Sequence, residues 1–262
     1  MQKKLEAFQR LLEIISTLRE KCPWDREQTI ESLRSLTLEE TYELSDAILA
    51  DDYNEIKKEL GDIIMHIVFY AKIASEQSAF DITDVLNSVC DKLIYRHPHV
   101  YGNVGVEGAT EVSENWEKLK LKEKGGNRSV LAGVPQSLPS LIKAHRIQDK
   151  ARGVGFDWDE KEQVWDKVKE ELAEFEENLR NNSDFSEKEA EFGDLLFSLV
   201  NASRLYGINP DTALERTNQK FIQRFSYLES KTIAQGKDLK AMPLAEMDKL
   251  WEEAKQQMKT DE

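Results

Sequence analysis

Two pairs of carboxylates, Glu171/Glu174 and Glu191/Asp194, each stand three residues apart in stretches with helical periodicity. Residues so spaced share one helix face, about 5–6 Å apart at Cβ. The segment joining the pairs is short enough for an antiparallel hairpin, which would bring four carboxylates together. An earlier stretch repeats the arrangement with Glu40/Glu43 and Glu59/Asp62. The alternative for Glu-rich helices is a solvated acidic face. Against it, Asp194 heads the apolar run Leu195-Leu196-Phe197-Ser198-Leu199-Val200, and the pattern occurs twice. Carboxylates at about 5 Å repel by roughly 3 kcal/mol per pair at an effective dielectric near 20, so such a cluster needs a cation or shifted pKa values. An all-oxygen ligand set selects a hard ion: Mg²⁺ first, with Mn²⁺ as a substitute. A di-iron carboxylate bundle would need Glu-x-x-His on two helices, and neither stretch has one. His66 follows Asp62 by four, has no counterpart in the later stretch, and reads as a core histidine or one backing the carboxylates.

Carboxylate-held Mg²⁺ commonly completes its coordination with substrate phosphates and water. Lys220 and Arg224 lie one helical turn apart, and Lys255 follows Trp251 by one turn; Lys92/Arg96 and Trp116/Lys120 repeat both spacings. In a chain of net charge −14, recurring basic pairs read as anion clamps, with solvated helix ends as the alternative. Trp251 stays open between stacking a base, which is tolerant of base identity, and anchoring a core.

These groups fall into one order that occurs twice: Trp-Asp (Trp24, Trp158), Glu-Glu-x-x-Glu, Glu-x-Gly-Asp, Lys-x3-Arg, Trp-x3-Lys. Such a repeat is the first thing a fold assignment must respect. Helices must position it. Leu5, Phe8, Leu11, Leu12, Ile15 and Leu18 recur at spacings of three and four, one face of an amphipathic helix. Asp81 and Thr83 are N-cap candidates for a helix carrying Val85, Val89 and Leu93. Gly125, Gly126, Gly133, Pro135 and Pro139 mark a linker, and the Gly-rich stretch 101–109 a loop that lacks the Lys-Ser/Thr ending of a P-loop. No convincing alternating strand is present. The expected fold is all-α, paired helices forming bundles.

Composition narrows the function. With 262 residues the chain makes one large domain or two ordinary ones. Fifty acidic against 36 basic residues repel phosphate backbones and argue against general binding to a nucleic-acid polymer. The start, Met1-Gln-Lys-Lys-Leu-Glu, lacks the apolar stretch of a signal peptide. The most apolar run, 63–74, is broken by His66 and Lys72 and is too short to span a bilayer, so no membrane association is expected. Two cysteines, Cys22 and Cys90, are too few for a disulfide framework. A cytoplasmic location is the expectation.

The chain resembles the MazG family of nucleoside triphosphate pyrophosphohydrolases, in its two-domain bacterial form, along nearly its entire length. The carriers are Cys22-Pro23-Trp24-Asp25, 38–43 (Leu-Glu-Glu-Thr-Tyr-Glu), Glu59-Leu60-Gly61-Asp62, Arg96-His97-Pro98-His99-Val100, Val154-Gly155-Phe156-Asp157-Trp158, Glu170-Glu171-x-x-Glu174 and Glu191-Phe192-Gly193-Asp194. Related all-helical dUTPases and phosphoribosyl-ATP pyrophosphohydrolases use a similar acidic motif; the doubled arrangement with these flanks is the specific feature. The resemblance implies two tandem MazG-like helical bundles, placed here at 1–124 and 140–262 with the linker at 125–139. It implies cleavage of NTP or dNTP between the α- and β-phosphates to NMP and pyrophosphate, and assembly as a homodimer. Carried over, Glu171, Glu174, Glu191 and Asp194 bind Mg²⁺, and Lys167, Lys220, Arg224, Trp251 and Lys255 engage the nucleotide. Glu170, next to that set, is the candidate to orient or deprotonate the attacking water.

The resemblance also implies that the C-terminal copy is catalytic. Aligning Glu40 with Glu171 puts Leu36 where the second copy has Lys167, so the first copy, with metal candidates Glu40, Glu43, Glu59 and Asp62, is expected to be weak, regulatory or structural. Two readings of other classes stand beside the enzyme: a non-catalytic sensor of a nucleotide or guanosine tetraphosphate, and a scaffold whose acidic faces bind a basic partner. Base preference and the number of metal ions per site are not encoded in any motif.

Overall fold

The computed structural model describes residues 1–108, 111–112, 115–116, 119–120, 129–158, 160–234 and 236–260, with side chains through 258. Among the described residues all regular structure is helical. The chain divides into two compact units, Met1–Val112 and Ser113–Glu262. No helix among the described residues is long and apolar enough to cross a membrane.

The first unit contains α1 (Gln2–Lys21), α2 (Pro23–Glu27), α3 (Ile30–Leu49), α4 (Tyr53–Glu76), α5 (Ile82–Arg96) and α6 (Pro98–Tyr101). The apolar stripe of α1 packs Ile15 against Leu33 of α3 and Val68, Phe69 and Ile73 of α4, flanked by Phe8, Leu11, Leu12 and Leu18; Leu5 stays exposed. Each fully buried side chain of this size contributes about 1.5–3 kcal/mol. Arg19 ties three elements together. Its Nη1 donates to the carbonyls of Asp25, Arg26 and Gln28 at 2.5, 3.0 and 3.1 Å, and its Nη2 meets Glu76 at 2.6 Å. One guanidinium thus satisfies orphan carbonyls at the end of α2. Of the two N-cap candidates for α5, Asp81 occupies the position, accepting from Thr83 N and Asp84 N.

The second unit contains α7 (Ser140–Arg152), α8 (Val164–Arg180), α9 (Phe185–Leu205), α10 (Pro210–Ala234) and α11 (Leu244–Thr260). Val164 and Val168 of α8 close on Leu195 and Ala202 of α9, and Leu228 of α10 closes on Leu250 of α11 and on Met242, which precedes α11. Gly125 and Gly126 of the expected linker lie outside the described residues. Residues 130–133 form a 3₁₀ turn, and Pro139 directly precedes α7.

The hairpins α3–α4 and α8–α9 turn in the same way. After α3, Asp51 N donates to Ile48 O and Asp52 N to Ala47 O; after α8, Asn182 N donates to Leu179 O and Ser183 N to Asn178 O. This bonding pattern closes a helix with one left-handed residue, here Asp51 at φ 55° and Asn182 at φ 51°. Asp and Asn enter that region at modest strain, whereas a β-branched residue does not. Asp52 and Asp184 then cap the returning helices. We expect Asn182→Val to destabilise the second hairpin by about 1–2 kcal/mol while Asn182→Gly is tolerated, as read from urea unfolding midpoints.

Candidate metal and nucleotide site

Helix α8 carries Glu170, Glu171 and Glu174, and α9 carries Glu191 and Asp194. One oxygen from each of Glu171, Glu191 and Asp194 lies within 4.8 Å of the others, and the same holds for Glu170, Glu171 and Glu174. Glu171 belongs to both sets and is buried, while Glu170, Glu174 and Asp194 are exposed. Lys167, one turn earlier on α8, holds its Nζ 2.6 Å from Glu171 and 2.8 Å from Glu170. Those hydrogen bonds, to Glu170 and then Glu171, raise its affinity for its proton well above the ordinary lysine range. Burial, then the Glu174, Asp194 and Glu171 carboxylates, push the Glu191 carboxyl up. A carboxyl raised by burial and then by like charges stands where positive charge would be stabilising, and the all-oxygen donors fit a hard divalent cation.

Beside these acids opens a cavity of about 730 Å³ between α7, the 155–158 turn, α8 and α9. Lys167, Glu171 and Asp194 line it together with the aromatic rings of Phe156, Trp158 and Phe197. Its polar wall is organised by Arg204, which is 8 % exposed. The guanidinium grips Asp157 with both terminal nitrogens and donates to Asn201 Oδ1 from Nε at 3.0 Å and Nη2 at 2.8 Å. Burial opposes ionisation of Asp157. The Arg204 hydrogen bonds, the Trp158 N–H and the Arg204 and Arg152 charges outweigh it and hold the carboxyl below its ordinary range.

The first unit keeps the acids and places apolar residues beside them. Glu40, Glu59 and Asp62 bring one oxygen each within 4.8 Å of one another. Glu59 is 2 % exposed; Lys58 donates to its Oε1 at 2.8 Å, while its Oε2 is buried without a partner. Burial and the Asp62 charge push the Glu40 carboxyl up. By the register of the repeat, Lys167, Phe197, Ser198 and Asn201 correspond to Leu36, Met65, His66 and Phe69. Leu36 and Met65 pack against the core cluster that contains Phe69. His66 is buried, its Nδ1 3.1 Å from Thr37 Oγ1, which also meets Tyr70 Oη at 2.6 Å. Burial lowers the affinity of His66 for a proton, against the pull of Asp62. It is a core histidine behind the carboxylates.

The remaining expected residues sit elsewhere in the second unit. Lys220 and Arg224 lie on α10, Trp251 and Lys255 on α11, and none of the four lines the cavity. The Arg224 guanidinium lies 5.8 Å from the Trp251 ring centre, and Phe221 packs on the same ring at 5.1 Å. Lys255 pairs with Glu252 at 2.6 Å. The corresponding Lys120 lies 5.7 Å from the Trp116 ring centre. Gln148, Asn201, Arg204 and the Asp157 pairing are the cavity residues that sequence reasoning missed. For Asn201 a signal existed: Asp194, Ser198 and Asn201 follow helical spacing through an otherwise apolar run. Gln148 stands among polar neighbours on α7 and carries no such signal.

Comparison with known proteins bears on this geometry. A family model described as the MazG nucleotide pyrophosphohydrolase domain matches residues 28–101 and again residues 160–228. The chain is 39 % identical over 259 residues to a nucleoside triphosphate pyrophosphohydrolase of Escherichia coli strain K12, covering 97 % of this chain and 98 % of that protein. It is 42 % identical over 251 residues to a nucleoside triphosphate pyrophosphohydrolase/pyrophosphatase of Thermotoga maritima, covering 95 % of each. An uncharacterized protein of Bacillus subtilis is 42 % identical over 236 residues, 90 % of this chain and 48 % of that one.

The Asp157–Arg204 pair sets a pH dependence. Because the folded-state pKa of Asp157 lies below its unfolded value, the pair's contribution is complete above the ordinary aspartate range and is lost as pH falls through the lowered value. Asp157→Asn is expected to cost about 1–3 kcal/mol at pH 7. The difference from the unaltered chain should shrink toward zero in unfolding curves taken at successively lower pH through that range.

Proposed function

The chain belongs to the MazG family of nucleotide pyrophosphohydrolases, and on that premise we propose a Mg²⁺-dependent hydrolysis of nucleoside triphosphates between the α- and β-phosphates. The observation that carries this reading is the buried Glu171, shared by two carboxylate sets and lining a cavity together with Lys167 and Asp194. Glu171, Glu174, Glu191 and Asp194 would hold Mg²⁺ or Mn²⁺, which supplies neutralisation of the triphosphate and acidification of bound water. Lys167 leaves Glu171 for a phosphate oxygen once those carboxylates are otherwise compensated. Glu170, released from Lys167 at the same moment, accepts the proton of the attacking water. The water oxygen bonds to the α-phosphorus as the bond to the bridging α,β-oxygen breaks, giving NMP and pyrophosphate. Lys220, Arg224 and Lys255 are assigned to the charge on the leaving pyrophosphate, with Trp251 holding the Arg224 fork by stacking. Support for Arg224 is its Nε, buried without a hydrogen-bond partner.

The second copy is assigned the turnover. Its cavity has room for a nucleoside, whereas Leu36 and Phe69 occupy core positions in the first. The reading includes a homodimer in the cytoplasm, where nucleotide pools reside. Supporting assembly, both acidic hairpins leave the same stripe exposed, Leu60/Ile64/Ile67 in one and Phe192/Leu196/Leu199 in the other, and an apolar helix face needs a second layer.

Incubation of the purified protein with each NTP and dNTP should give NMP and pyrophosphate only with added Mg²⁺. Glu171→Gln should cut kcat by about 10²–10³-fold, the scale set for loss of a charge-stabilising group, and Glu40→Gln should retain turnover. Orthophosphate plus NDP would refute α–β cleavage, and activity lost on Glu40→Gln but kept on Glu171→Gln would reverse the assignment of copies. For assembly, Leu196→Glu should shift the sedimentation coefficient to that of a monomer; an unchanged monomer before and after the substitution would refute the dimer.

A further inference from the structure

Gln148 is 6 % exposed, lines the cavity, and is only half satisfied. Its Nε2 donates to Phe197 O at 2.8 Å, which fixes the sense of the amide, while its Oε1 is buried without a partner. A buried acceptor left unpaired costs about 1–3 kcal/mol, and such a group in a native fold calls for an explanation. The rest of the wall narrows what would supply the missing donor. The rings of Phe156, Trp158 and Phe197 offer flat apolar surface, and Asn201, whose Oδ1 is committed to Arg204, keeps its amide N–H₂ for donation. Flat apolar faces with one acceptor and one donor on the wall suit a planar heterocycle carrying N–H and ring nitrogen or carbonyl groups on its edge. The charged end of the cavity, at Lys167, Glu171 and Asp194, suits a phosphate tail on the same molecule.

We propose that Gln148 is the base-reading residue of this site: its Oε1 accepts an N–H from the nucleobase of a nucleotide seated against the three rings. The inference rests on the nucleotide reading above and concerns binding, not turnover. A site built around an unmet acceptor discriminates strongly, because a ligand without the matching donor leaves the acceptor unpaired. Gln148 is therefore a specificity-determining residue: it separates bases by the N–H they present, and separates nucleotides from bare pyrophosphate or sugar phosphates.

The test is equilibrium titration of the full chain, with Mg²⁺, using the four common nucleoside 5′-monophosphates and ribose 5-phosphate, which lacks the base. In the unaltered protein at least one nucleotide should bind tighter than ribose 5-phosphate. In Gln148→Leu the Kd of that nucleotide should rise about 10- to 100-fold relative to ribose 5-phosphate, the range matching loss of one buried hydrogen bond. Ligand-free Gln148→Leu should still unfold cooperatively near the melting temperature of the unaltered chain, because loss of the Nε2 bond to Phe197 O is offset by removal of the unmet Oε1. A second measurement needs no variant: an analogue of the tightest nucleotide lacking the N–H in question should bind the unaltered chain at least about 10-fold more weakly. Equal losses for nucleotide and ribose 5-phosphate, or no loss for either, would overturn the inference, as would a tightest nucleotide indifferent to removal of each N–H. Base-dependent binding with no hydrolysis product would refute the proposed activity and leave Gln148 in its role; hydrolysis together with nucleotide binding indifferent to Gln148→Leu would do the reverse.

Discussion

The carboxylate of Glu171 is buried between two helices that bring further carboxylates to within a few ångströms of it. Left alone that arrangement is unfavourable, because like charges repel more strongly as water is excluded. The surroundings of Glu171 consist of what makes it tolerable. Lys167 supplies a positive charge from one turn away on the same helix. Val164, Val168, Leu195 and Ala202 hold α8 and α9 together behind the acids. The tight turn through Asn182 keeps the hairpin short enough that Glu171 faces Asp194. The same repulsion makes the cluster a receptor for positive charge, so the structural cost and the functional property have one origin.

The two units show how such a constraint survives when the rest of the site changes. Both keep the hairpin, the left-handed Asp or Asn at its turn, and a cluster with one deeply buried glutamate. In the first unit Lys58, from the adjacent position on the other helix, takes the part that Lys167 plays in the second. What differs is the set of side chains beside the acids. Leu36, Met65 and Phe69 belong to the apolar core in one unit, and Lys167, Phe197 and Asn201 line a cavity in the other. A packed core contributes stability through every buried methylene. An open cavity gives part of that up.

Inside the cavity the same logic applies to neutral polar groups. Arg204 meets Asp157 and Asn201 through four hydrogen bonds and so fixes the wall. Rigid walls let a bound planar group be recognised by the few polar atoms that remain, here the acceptor of Gln148. Fixing most partners in advance concentrates discrimination in the one left unmatched.

How much of this was legible beforehand depended on how local the signal was. Helical class, the doubled unit and the carboxylates rest on spacings within one or two turns of chain, such as Glu171/Glu174 and Glu191/Asp194, and these are set by helix geometry alone. The sequence by itself therefore determined that the chain is helical, that it is repeated, and which acids share a face. Only the tertiary structure decided that Gln148 of α7 meets Phe197 of α9, that Arg204 closes on Asp157, and that Lys220, Arg224, Trp251 and Lys255 lie on the α10–α11 pair and do not line the cavity. It also decided that Leu36, Met65 and Phe69 join the core of the first copy, whereas Lys167, Phe197 and Asn201 line the cavity of the second. These outcomes join residues tens of positions apart, and they follow from how helices pack face to face. A single chain read along its length shows which faces exist, whereas the partner of each face is chosen by volume and burial across the whole unit.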